Sequence, residues 1–314
     1  MSSLTRRHAA AAPAARGERR WNLTVACVLV LGVAVLIYPM AARWFSDSSQ
    51  AREVTGYSQA VAGLPSHQQS ALLEAAQQYN ADLPRGPLRN PYRPDGVAQQ
   101  TAVGDFTEAY FAQLAVPGSE TMGRLTVPAI GVDLPIMHGT DEATLARGVG
   151  HLFGSSLPVG GESTHSVLTA HSGFVTATLF DDLDRVVLGD TFTITVLGQE
   201  HHYRVDQIVT VLPTDSDELM VTEGEDYVTL VTCTPTGINT HRLLVRGERI
   251  DASEFTQTPS QVTMPGRGQA PGFPWWSVAL GGAGLLGVLI VCGRRQRSPS
   301  DVAPQPEPVP ERRG

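Results

Sequence analysis

The sequence predicts a mainly β domain, a closed barrel or a sandwich, set between two apolar helices. Three features predict it. Short β-branched runs recur through residues 124–250, Gly, Pro, Asp and Asn punctuate them, and long uncharged stretches lie near both ends of the 314-residue chain. Many short strands with turn signals between them favour a barrel or sandwich over a parallel α/β sheet, and no repeat period is evident.

Residues 1–20 form a tail containing Arg6, Arg7, Arg16, Arg19 and Arg20. Residues 21–42 are uncharged. At ~1.5 Å per residue such a helix is about 33 Å long, enough for a bilayer core of about 30 Å. Met40-Ala41-Ala42 is a poor small-x-small cleavage site, which predicts an uncleaved anchor. A second apolar segment, 273–293, opens on Phe273-Pro274-Trp275-Trp276 and is followed by Arg294, Arg295 and Arg297 in a tail, 294–314. The arginine bias puts both tails in the cytoplasm and everything between the spans outside.

From Arg43 to Gly272, 27 Asp and Glu face 13 Arg, with no Lys anywhere in the chain. That acidity argues against nucleic acid or anionic lipid as the main partner. Residues 43–116 read as a helical extension. Within it, Ala, Gln, Leu and Glu at helical spacing predict one helix over about 50–80, ending near Tyr79-Asn80. Residues 83–104 are rich in Pro, Arg and Gly and predict a loop long enough to be functional. A helical patch follows around Asp105 to Leu114. The β domain is expected over 117–252, with strands at 124–127, 134–137, 165–170, 191–197, 202–212, 227–232 and 242–250, and then a linker, 253–272.

Cys233 ends the run Tyr227-Val228-Thr229-Leu230-Val231-Thr232-Cys233, and Arg242 begins the run Arg242-Leu243-Leu244-Val245-Arg246. A thiol and a guanidinium at the mouths of two strands converge on one point if the intervening segment is a loop, and such a point can bind and attack a carbonyl. Cys27 and Cys292 lie in the apolar segments, so Cys233 has no disulfide partner in the soluble part. Nothing near it has CxxC or CxxH spacing, which leaves a nucleophile or an inert buried thiol. His138, His151, His165 and His171 are the histidines that can serve as its base, with His201, His202 and His241 as outsiders. Of these, His171 has the best local setting, at a strand end beside Ser172-Gly173. The acidic clusters at 181–184 and 215–218 lack calcium-loop spacing and read as turns. No metal and no cofactor is expected.

Leu168-Thr169-Ala170-His171-Ser172-Gly173, then Thr229-Leu230-Val231-Thr232-Cys233, then Arg242 resembles the signature of the sortases. Leu134–Thr140, Gly148–Leu152, Ser156–Gly161 and Gly237–Gly247 look like the class C, pilin-polymerising branch. The resemblance covers about residues 70–250. It implies an eight-stranded β-barrel transpeptidase on the outer face of a Gram-positive membrane, with His171, Cys233 and Arg242 as its catalytic set. The implied partners are pilins or surface proteins bearing an LPxTG-like sorting signal, and a lysine or cell-wall amine as acceptor. It also implies a lid over the site, at Asn90-Pro91-Tyr92, where the family's Asp-Pro-aromatic motif carries Asp in place of Asn90. An asparagine cannot make the charge-assisted contact to Arg242 that an aspartate makes. Three functions stay open: a pilin polymerase, a sortase that anchors proteins to peptidoglycan, and a catalytically silent adhesin or assembly scaffold.

Overall fold

A computed structural model describes residues 14–84, 104–255 and 271–292. The lid motif Asn90-Pro91-Tyr92 and both terminal arginine clusters lie outside the described residues, as does most of the linker. The chain divides into two units, residues 1–41 with 274–314, and residues 42–273.

In the first unit, two helices are long and apolar enough to cross a membrane. They are the N-terminal part of α1 (Ala14–Gly63) and α4 (Trp275–Cys292). Asn22 Nδ2 donates to the Ile290 carbonyl at 3.5 Å, and Gly287 faces Ala26 and Val30, so these two apolar segments pack on each other. A small residue at such a crossing lets two helices approach closely without a polar driving force.

The second unit is an eight-stranded closed barrel, as the resemblance implied. Its strands are β1 (Thr121–Val127), β2 (Val132–His138), β3 (Val149–His151), β4 (Thr164–Thr169), β5 (Thr191–Val196), β6 (Gln199–Val211), β7 (Asp226–Thr234) and β8 (His241–Ile250). They close in the order β1-β2-β3-β4-β7-β8-β6-β5. Two neighbouring pairs are parallel, β2 with β3 and β4 with β7, and the rest are antiparallel. Closure leaves no unpaired sheet edge.

Strand β3 was not foreseen as a strand. Its three residues include Gly150 and follow Gly148, and glycine is depleted in strands. A Cβ at position 150 would run into the Gly139 carbonyl, so the close backbone approach excludes the side chains that mark other strands.

Alternation along each strand sends one set of side chains inward. Leu125, Ile136, Val149, Leu168, Ile194, Val228, Leu230 and Val245 join one core with Phe192 and Tyr203, whose rings stack at 5.4 Å. Gly247 lies under that stack, where a Cβ would come within 2.5 Å of the Phe192 ring. Each such buried side chain stabilises the fold by about 1.5–3 kcal/mol.

The predicted single helix over 50–80 is instead two, α1 to Gly63 and α2 (Ser66–Asp82). Pro65 lacks an N–H and breaks the run, while Gln69 Nε2 closes the end of α1 by donating to the Val61 and Leu64 carbonyls, both at 3.0 Å. Polar side chains of both helices bind the barrel. The Tyr57 hydroxyl donates to the Met122 carbonyl at 3.0 Å and accepts the Leu197 N–H at 2.8 Å. Asn80 exchanges two hydrogen bonds with the Leu157 backbone, at 2.7 and 3.0 Å.

Helix α3 (Gly104–Ala112) adds a buried Tyr110 whose hydroxyl lies 2.9 Å from His151 Nδ1. His151 Nε2 lies 2.8 Å from the Ser156 carbonyl, so Nε2 carries the proton and donates. Full burial holds its imidazole neutral, with a pKa pushed down to about 4. A folded pKa below the unfolded 6.5 contributes stability above pH 6.5 that is lost as pH falls toward 4. The shift corresponds to about 3 kcal/mol. Chemical denaturation is expected to show this fall between pH 6.5 and 4, with a shallower slope in His151→Gln.

Candidate active site

The pairing of β7 with β8 sets Cys233 directly opposite Arg242. Opposed residues project to the same side of a sheet, with Cβ atoms about 5 Å apart. That side is the outer one: Leu230 and Val228 point into the barrel core, whereas Val231, two residues before Cys233, joins an outer cluster with Leu152, Val167, Leu219 and Leu244. Leu244 stands two residues after Arg242, which gives the same assignment from β8.

On the other flank of β7, parallel β4 pairs Leu168 with Leu230 and Thr169 with Val231. The register continues past the strand end, because the Ala170 N–H donates to the Val231 carbonyl at 3.2 Å. Two residues beyond the Thr169–Val231 pair, the same register sets His171 level with Cys233. Cys233 and Arg242 thus face each other across β7 and β8, and His171 follows two residues past the end of β4, the other neighbour of β7.

Local contacts fix each of them. His171 stacks on Phe174 at 5.3 Å with planes 10° apart, and its carbonyl accepts the Phe180 N–H at 3.0 Å. The Ser172 hydroxyl donates to the Cys233 carbonyl at 2.7 Å, and Thr232 Oγ1 donates to the Ala170 carbonyl at 2.8 Å. These bonds clamp the histidine segment to the cysteine strand beyond the β4 ladder. Sequence reasoning noted Ser172 as part of a motif and gave it no role; its place directly after His171 was the available signal. Gly173 has φ +74° and faces Thr236, whose methyl would lie 2.5 Å from an added Cβ. Glycine therefore lets the loop after His171 meet the loop between β7 and β8. In that second loop, the Asn239 and His241 carbonyls accept from Arg242 Nη1 at 3.2 and 3.0 Å, directing the guanidinium.

His138, His165 and His201 sit elsewhere. His138 Nε2 is 2.8 Å from the Gln113 carbonyl, and His165 lies between the Met220 carbonyl and Thr229 Oγ1 at 2.9 and 2.7 Å. His201 meets Arg249 at 2.6 Å. The acidic run at 181–184 is also engaged: Asp181 accepts the Gly173 N–H at 2.6 Å, and Asp182 pairs with Arg185 at 3.2 Å.

Cys233 is 8% exposed and Arg242 7%, with His171 between buried and exposed. Burial pushes the Cys233 thiol above its usual value of 9.0, and Arg242 opposes that rise only in part. Burial also lowers the His171 pKa below 6.5, against the pull of Glu142. Both directions favour a neutral Cys233 thiol and a neutral His171 imidazole at pH 7. Iodoacetamide should alkylate Cys233 at a rate that keeps rising through pH 9, followed by intact mass in a protein carrying Cys27→Ser and Cys292→Ser. A plateau below pH 7 would contradict this assignment.

Residues 125–250 match the family described as the Sortase domain. The crystal structure of sortase C-1 from Actinomyces oris is 45% identical, with a TM-score of 0.55, over 59% of this chain and 99% of that one. The chain belongs to the sortase family. Sortases are cysteine transpeptidases. Sortase C of Streptococcus pneumoniae, whose structure addresses catalysis and pilin substrate specificity, is 41% identical with a TM-score of 0.54, over 62% of this sortase and 93% of that chain. Sortase A of Bacillus anthracis is 25% identical over 142 residues, 45% of this chain. The match spans 66% of that relative, just under two thirds of its length. The structural neighbours of this sortase are thus of the class C, pilin type.

Proposed function

We propose that this chain is a membrane-anchored class C sortase that cleaves an LPxTG-like sorting signal and joins it to a lysine amine of another pilin. The observation that carries the reading is Cys233 directly opposite Arg242 on β7 and β8, with His171 two residues past the end of the adjacent β4. The proposed arrangement has tails at 1–20 and 294–314 in the cytoplasm, spans at 21–42 and 273–293, and the extension and barrel outside.

In the acylation step, His171 takes the thiol proton as the Cys233 sulfur attacks the carbonyl between Thr and Gly of the signal. Arg242 donates hydrogen bonds to the oxyanion that forms. Collapse breaks the C–N bond, the His171 imidazolium returns its proton to the departing glycine amine, and a thioester on Cys233 remains. A neutral lysine amine then attacks the thioester. His171 accepts the proton from that amine and passes it to the leaving thiolate, so the products are an isopeptide bond and the original thiol.

The lid belongs to the same proposal. Asn90-Pro91-Tyr92 is read as a cover over Cys233, held less firmly than an aspartate lid because Asn90 lacks charge. Deleting residues 89–93 should therefore accelerate alkylation of Cys233, and an unchanged rate would remove the lid from the reading.

The test is incubation of the full chain in detergent with a pilin bearing an LPxTG-type signal. Ladders support polymerisation, and since the sortase has no lysine it cannot be its own acceptor. Transfer only to a peptidoglycan-like amine would identify an anchoring enzyme. A lack of any Cys233-dependent product would identify a scaffold.

A further inference from the structure

Strand β4 ends at Thr169, yet the chain stays bonded to β7 beyond that point. A parallel ladder bonds every second residue of one strand to its neighbour. The register of Thr169 with Val231 therefore predicts two bonds in turn, from the Ala170 N–H to the Val231 carbonyl and from the Ser172 N–H to the Cys233 carbonyl. The first is made, at 3.2 Å. At the second position the donor to the Cys233 carbonyl is the Ser172 hydroxyl, at 2.7 Å. A side chain thus takes the place of a ladder N–H, which lets the chain leave the sheet at His171 and keep a bond to the cysteine.

Neighbouring bonds hold other parts of the same segment. The His171 carbonyl accepts the Phe180 N–H at 3.0 Å and Asp181 accepts the Gly173 N–H at 2.6 Å, which ties residues 171–181 to one another. Thr232 Oγ1 donates to the Ala170 carbonyl at 2.8 Å, before the histidine is reached. The Ser172 bond runs from the residue after His171 to Cys233 itself. A hydroxyl has one proton, and here the Cys233 carbonyl takes it. Ser172 is therefore neither an oxyanion donor nor an acid for the leaving amine.

We infer that Ser172 is a positioning residue, whose bond to the Cys233 carbonyl sets the separation of sulfur and imidazole across which the proton moves. The carbonyl and Sγ extend from the same Cα, and Ser172 directly follows His171, so the link from ring to sulfur is short. Rate is steep in such a separation: a misplacement of about 1 Å can cost about 100-fold. This role rests on the reading of His171 and Cys233 as the reacting pair. It predicts that losing the hydroxyl slows the chemical step and spares both substrate affinity and the intrinsic reactivity of the thiol.

The full chain in detergent, with a quenched fluorescent LPxTG-type peptide and hydroxylamine as acceptor, yields kcat and KM. Iodoacetamide at fixed pH, in a Cys27→Ser, Cys292→Ser background, yields the reactivity of Cys233. Ser172→Ala and Ser172→Val should lower kcat about 10- to 100-fold, with KM and alkylation rate within about twofold of the unaltered chain. Ser172→Thr matches valine in shape and keeps the hydroxyl, so its kcat should return to within about threefold. A hydroxyl with a structural role alone would lower the melting temperature of the alanine and valine variants and leave kcat in place, which would overturn the inference. A threonine variant as slow as the valine one would overturn it too. So would a rise in KM or a fall in alkylation as large as the fall in kcat, since either would place Ser172 in substrate binding or thiol activation. No Cys233-dependent cleavage by the unaltered chain would overturn the reading of the pair and the inference together.

Discussion

Replacing Cys233 with alanine will remove every covalent product of the protein while leaving the barrel folded. The proposed cycle stores the cleaved signal on this sulfur, and no other thiol of the chain lies in the barrel. Loss of a primary nucleophile typically lowers turnover on the order of 10⁶-fold, below the reach of a ladder assay. The fold is expected to tolerate the change. Cys233 projects onto the outer face, away from the barrel core, and trimming one sulfur costs about 1 kcal/mol. Thermal unfolding distinguishes the two readings of this thiol: an inert buried cysteine replaced by alanine would cost stability and spare activity.

His171→Ala is expected to lower kcat by about 10²- to 10⁴-fold, the usual range for one acid–base group. The same imidazole serves both halves of the proposed cycle, so acylation and transfer should fall together. Its pKa lies below 6.5 and that of Cys233 above 9.0, so the neutral pair from which His171 takes the thiol proton is the main form between those limits. The kcat/KM of the unaltered protein should follow a bell whose limbs fall below pH 6.5 and above pH 9. The variant should lose that shape along with its rate. Phe174→Leu supplies the control: it removes the ring stacked on His171 and leaves the imidazole, so it should reduce the rate and retain the bell.

Much of this site was legible in the sequence because alternation survives in it. Residues 227–233 and 242–246 alternate inward and outward without a bulge, so the ends of the runs placed Cys233 and Arg242 at facing strand mouths. The loop between them was marked by Pro235 and Gly237. His171 followed from its position at a strand end beside Ser172-Gly173, though not the parallel register with β7 that sets it level with the sulfur. Parallel pairing is a long-range contact with no local signature, and the crossover from β4 to β7 contains two other strands.

Other elements left weaker marks. Strand β3 is short, follows Gly148 and contains Gly150, both required for close backbone approach, so propensity pointed away from it. The break between α1 and α2 was visible in Gly63 and Pro65, but the helical spacing on both sides outweighed it. Ser172 illustrates a further limit: its hydroxyl bonds the backbone of Cys233, sixty-one residues away, and a side chain-to-backbone contact of that kind leaves no pattern in composition.

The central claim is that Cys233 carries the cleaved signal as a thioester. Trypsin, which has no lysine to cut here, should release residues 205–242 as one fragment with Cys233 as its only cysteine. After mixing the full chain with an LPxTG-type peptide and no acceptor amine, mass spectrometry should find that fragment heavier by the peptide through its threonine, and hydroxylamine should remove the added mass. Cleavage of the peptide with no adduct on residues 205–242, or an adduct on another residue, would contradict the account.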